Sequence, residues 1–78
     1  MDWNLQRMMA LEAGTDERTG ETWAEMYDYH LSMVEKPLTF GQFRMKSNTL
    51  NRILAQDPEG EQRGLDGPIN RLCRELGY

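Results

Sequence analysis

The chain has 78 residues, 38% of them hydrophobic, and a formal net charge of −4. That length makes residues 1–78 one domain, able to bury only about 60% of the surface its unfolded chain exposes, and the apolar content is too high for disorder at so modest a charge. A single cysteine excludes an internal disulfide framework and suits a reducing compartment. No apolar run approaches the roughly 20 residues of a membrane span. The N-terminal MDWNLQRMM starts with an acid where a signal peptide carries bases, so a cytoplasmic protein is expected.

In chain order, a first helix is predicted over about 2–13, stopping at Gly14, a natural residue for the left-handed position after a helix. Its pattern is impure. Leu5, Met8 and Met9 share one side with Glu12, Trp3 and Ala10 point the other way, and Leu11 lies between. A helix apolar on two sides either sits between neighbours or keeps surface for a partner, and Trp3 is the candidate contact. After a polar connection, Thr22 with Glu25 three residues on has the form of a capping box, although Thr19 competes as the cap.

The second helix, about 22–35, reads TWAEMYDYHLSMVE. Trp23, Met26, Tyr27, His30, Leu31 and Val34 fall within an arc of roughly 140° at 100° per residue. Glu21, Glu25, Asp28, Ser32 and Glu35 form the opposite face, an almost unbroken acidic row. Pro37 ends the helix and favours an extended Lys36.

Thr39 can cap the third helix, about 39–56. Phe40, Phe43, Ser47, Leu50 and Leu54 follow a 3-4-3-4 spacing that predicts one continuous helix. The weak helix formers Lys46-Ser47-Asn48-Thr49 leave open a turn between two short helices. DPEGEQRGLDG (57–67) reads as a loop, and Pro68 suits the first position of a last helix over 68–76, with Ile69, Leu72, Cys73 and Leu76 as its stripe. The expected fold is all-α, a small compact domain of about four helices.

Charge is segregated along the chain. Residues 1–35 hold eight acids against Arg7 and Arg18, a net of −6. Residues 36–56 hold Lys36, Arg44, Lys46 and Arg52 and no acid, a net of +4. The asymmetry marks either an interaction surface or two complementary elements lying side by side.

The catalytic inventory is thin. His30, the only histidine, sits in an apolar stripe, where a buried, hydrogen-bonded imidazole is expected. Ser32 diverges from it on the helix, Cys73 belongs to a stripe, and no zinc, phosphate-loop or EF-hand spacing occurs. No enzymatic activity, cofactor or metal is expected.

The acidic row is the informative surface. Glu21/Glu25 and Glu25/Asp28 are like-charge neighbours, each pair costing about 0.2–0.5 kcal/mol, with no Lys or Arg between Thr19 and Glu35 to relieve them. A face kept acidic at a cost fits docking on a basic protein surface through Glu21, Glu25, Asp28 and Glu35, with Trp3 as an apolar contact. The bland alternative is a solvated face. Basic surfaces belong largely to nucleic-acid-handling proteins, so the expected function is a small protein-binding regulator or inhibitor, in the style of phage-encoded inhibitors of host complexes. No motif ties the chain to such a family.

The second choice is nucleic acid. With a turn near Ser47, residues 39–56 would form a helix-turn-helix-like unit, Asn48, Asn51 and Arg52 facing bases and Arg44 and Lys46 meeting phosphates. Phe40 stands where that pattern wants a small residue, and Arg44 where its turn has glycine. A third reading makes Trp3 and the Met-rich first helix the interface of a small subunit or assembly factor.

Overall fold

The computed structural model describes residues 2–56 and 67–78 and is all-α. Among the described residues four helices follow one another: α1 (Trp3–Glu12), α2 (Trp23–Met33), α3 (Phe40–Gln56) and α4 (Pro68–Leu76). None is long and apolar enough to cross a membrane. The loop expected over 57–67 lies, but for Gly67, outside the described residues.

Three of the four helices begin on a side-chain cap, while α4 starts on Gly67 and Pro68 without one. Asp2 Oδ1 accepts from the Leu5 N–H, and Thr22, not Thr19, accepts from the Glu25 N–H. At α3 the box is reciprocal: Thr39 Oγ1 takes the Gln42 N–H while Gln42 Oε1 takes the Thr39 N–H. Gln6 of α1 accepts the next free donor, the Phe40 N–H, at 2.9 Å. One α1 side chain thus satisfies the start of α3.

α3 runs unbroken through Ser47–Thr49, so the turn that a helix-turn-helix requires within 39–56 does not form. The reason lies in packing: Phe40, Phe43, Ser47 and Leu50 are all buried on one face, and a turn would rotate half of them out. α2 ends at Met33, two residues short of the expected Glu35, with Val34 already extended. The departure lets the chain double back toward α3, where Leu38 is gripped from α2 on both backbone groups. Tyr27 Oη donates to its carbonyl at 2.6 Å, and its N–H donates to His30 Nε2 at 2.9 Å.

The core is aromatic. Trp23 and Tyr27 of α2 meet Phe40 and Phe43 of α3 mostly edge to face, at centroid separations of 5.3–6.3 Å. His30 stacks on Tyr27 and leans on Phe43. Ile69 and Leu76 of α4 complete the core, with Leu72 and Cys73 half-buried against it. A Lys46–Glu75 ion pair joins α3 to α4 at the surface.

His30 is fully buried, and its remaining nitrogen, Nδ1, lies 2.9 Å from the Leu76 carbonyl. Since Leu38 N–H can only donate, Nε2 is the acceptor and Nδ1 carries the proton given to Leu76. One imidazole therefore ties α2 to the loop before α3 and to the last turn of α4.

Candidate functional site

The acidic row does not survive as one helical face. Glu21 precedes the Thr22 cap and Glu35 follows the Val34 cap, so only Glu25 and Asp28 of the expected acids lie on α2. They are not alike. Glu25 is exposed on the outer side, whereas Asp28 forms a two-point ion pair with Arg7 of α1, Nε to Oδ1 at 2.9 Å and Nη2 to Oδ2 at 3.3 Å. The relief that α2 lacks along its own sequence comes from a neighbouring helix. Trp3 and Glu35 are brought together, bordering a shallow groove with Leu31, Val34 and Pro37. Glu21 stands elsewhere, at a cleft beside Tyr78. The five residues thus occupy three places.

The residues proposed for nucleic acid are also divided. Arg44 lies 5.2 Å from the Trp23 ring centroid, Lys46 pairs with Glu75, and Asn48 accepts from Arg18. Asn51 donates back to the Ser47 carbonyl. Arg52 is exposed and shares a shallow groove with Arg44 and Asn48.

Charge segregation is not resolved by internal pairing. Among the described residues the ion pairs are Arg7–Asp28, Arg18–Asp16 and Lys46–Glu75. None joins an acid of residues 1–35 to a base of residues 36–56. Subtracting Asp16 and Asp28 from the eight N-terminal acids leaves six, Asp2, Glu12, Glu17, Glu21, Glu25 and Glu35, without an ion pair among the described residues.

Asp16 is structural. It is 5% exposed, and its carboxylate accepts from the backbone N–H, Nε and Nη2 of Arg18, closing the turn before α2. Burial pushes its pKa up, but the Arg18 hydrogen bonds and the charges of Arg18 and Arg44 outweigh that and hold it below the ordinary carboxylate value.

The surface that sequence reasoning left undecided is the outer side of α1. Only Ala10 of this helix is buried. Leu5, Met8, Met9 and Leu11 are 49, 56, 42 and 66% exposed, an apolar face interrupted only by Asn4 and Glu12. The signal was present in the two-sided pattern, but its sense was not: the small Ala10, with Gln6 and Arg7 anchored to α3 and α2, faces inward, and the large side chains face out.

No family model matches the chain, no curated protein matches its sequence, and no solved structure matches its fold.

Among the described residues no group of three or more His, Cys, Asp or Glu side chains could hold a metal ion. Both His30 nitrogens are engaged by backbone, and Ser32 donates its hydroxyl to the Tyr29 carbonyl.

Proposed function

We propose that the chain is a non-catalytic protein-binding module that docks the outer face of α1, within its acidic surroundings, on an apolar patch of a partner rimmed by basic residues. The observation that carries this reading is the exposure of Leu5, Met8, Met9 and Leu11 on one helix. Exposed apolar residues are ordinary when scattered, but contiguous on a helix face they are characteristic of binding surfaces, and methionine is enriched there because it adapts its shape. The acids of residues 1–35 that have no ion pair among the described residues supply the charge complement and steer encounter with a basic surface. Covering such a surface on a nucleic-acid-handling complex would make the chain a competitive inhibitor or modulator, the mode of action of many phage-encoded inhibitors.

The test compares wild type with a Met8→Glu/Leu11→Glu double variant as bait in the source organism's lysate, with mass-spectrometric identification of what is retained. Both positions are exposed, so melting should stay within about 0.5 kcal/mol of wild type. Retention of the specific partner should fall at least tenfold. Equal retention by both baits removes α1 from the interface. Duplex-DNA mobility shifts at moderate salt, lost on Arg44→Ala/Arg52→Ala, would instead favour nucleic acid.

A further inference from the structure

A cleft on another part of the surface, bounded by the turn before α2, α2 itself, α3 and the C-terminal Tyr78, has a volume of about 320 Å³. That lies within the size range of small-ligand sites. Its apolar lining is Met26, Leu50 and Leu76, and its aromatic wall is Tyr29 and Tyr78, stacked at 6.2 Å and 24°. Ser47 lines it from α3. This serine is 6% exposed, and among the described residues its Oγ makes no hydrogen bond. A buried hydroxyl without a partner is uncommon in a native helix, where the carbonyl one turn back normally receives it.

We propose that this cleft is a binding site for a guanidinium group, seated against Tyr29 and Tyr78 and donating to Glu21 and Asn51.

The polar lining decides the sign and shape of the ligand. Asn51 gives an amide N–H to the Ser47 carbonyl, and among the described residues its Oδ1 has no hydrogen bond. Glu21 carries a carboxylate with no ion pair among the described residues. The other lining carboxylate, Asp16, is already matched by Arg18. The open capacity includes the Glu21 carboxylate and the Asn51 amide oxygen, which only accept, beside tyrosine hydroxyls that can do either, so a ligand that donates and carries positive charge fits it. Burial, followed by the nearby Glu21 carboxylate, pushes the Tyr78 hydroxyl up, consistent with uncompensated negative charge at this spot.

Two tyrosine rings beside such acceptors favour guanidinium over ammonium. Guanidinium is planar, weakly hydrated, stacks on aromatic faces and donates in its own plane, whereas ammonium is a compact, strongly hydrated point charge. The group could be an arginine side chain of a partner or a free small guanidinium compound. The site is separate from the α1 face and does not rest on the docking proposed there.

The experiment is a backbone amide NMR titration of the full chain with three probes: ethylguanidinium, acetyl-Gly-Arg-Gly-amide and its citrulline analogue. Citrulline keeps the shape of arginine and removes the charge. Saturable shifts centred on Tyr29, Ser47, Asn51 and Tyr78 are expected from the charged probes, at millimolar affinity, and at least tenfold weaker from citrulline. Glu21→Gln should weaken the charged probes at least threefold while leaving the fold intact. A tripeptide that binds tighter than ethylguanidinium assigns the site to a partner's arginine; the reverse order assigns it to a free compound. Equal shifts from citrulline, shifts indifferent to Glu21→Gln, or no saturable shift in the cleft overturns the proposal. Met8→Glu/Leu11→Glu should leave the titration unchanged, which keeps it distinct from the α1 test.

Discussion

Two buried polar residues hold separate parts of this chain together, and they should fail differently. His30 satisfies the Leu38 N–H and the Leu76 carbonyl at once, so removing its ring orphans a donor and an acceptor in a sealed core. Each orphaned group costs about 1–3 kcal/mol, so His30→Phe, which keeps ring volume, should lose roughly 2–5 kcal/mol in a denaturant melt. A loss below about 1 kcal/mol would mean that those backbone groups find other partners. Asp16 is a charge-linked case. Its folded pKa lies below the ordinary value, so its contribution is present above the unfolded pKa of about 3.9 and is lost as pH falls through the folded one. Asp16→Asn should therefore cost roughly 1–2 kcal/mol at neutral pH, and the gap to wild type should close in acid below about pH 4. A gap that stays constant down the acid limb would show that the carboxylate's charge contributes nothing.

At the scale of elements, caps and stripes were legible because they are local. Thr22 and Thr39 begin their helices, and α4 carries its stripe, Ile69, Leu72, Cys73 and Leu76, on its inner side. The continuity of α3 was readable from its spacing despite poor local propensity, since burial of Phe40, Phe43, Ser47 and Leu50 overrides it. What could not be read was which side of α1 faces in. That depends on Gln6 reaching Phe40 and Arg7 reaching Asp28, contacts between residues 34 and 21 apart in sequence. The same distance hid the relief of Asp28 and the cleft around Ser47. The end of α4 is a testable case of local and tertiary demands coinciding. Gly77 has φ +95°, and the Tyr78 N–H returns to the Cys73 carbonyl, so the helix closes on a left-handed residue. A Cβ there would also lie 2.9 Å from Val34 Cγ2 and 3.2 Å from Met33 Cβ. Gly77→Ala should cost roughly 1–3 kcal/mol, more than backbone strain alone, with Val34→Ala recovering part of it in a double-variant melt.

For the whole molecule, the decisive property is that, among the described residues, no ion pair joins an acid of residues 1–35 to a base of residues 36–56. The N-terminal part keeps six acids without an ion pair among the described residues, while Arg44 lies over Trp23 and Arg52 stays exposed. A surface of this kind acts at range, so its effect belongs to the rate of encounter more than to the lifetime of a complex. Glu25 and Asp28 separate the two possible roles of the acids. Asp28→Lys breaks the exposed Arg7 pair and places like charges together, which should lower stability by about 0.2–1 kcal/mol. Glu25→Lys breaks no pair, and melting should hold. Association with a basic partner should slow several-fold for Glu25→Lys at low salt, and the difference from wild type should shrink as salt shortens the screening length from about 10 Å at 0.1 M to 3 Å at 1 M. Stopped-flow or biosensor rates across that range are the measurement. Association of Glu25→Lys at the wild-type rate in low salt would make the acidic surface a solvated one, and binding would then rest on the apolar face of α1 alone.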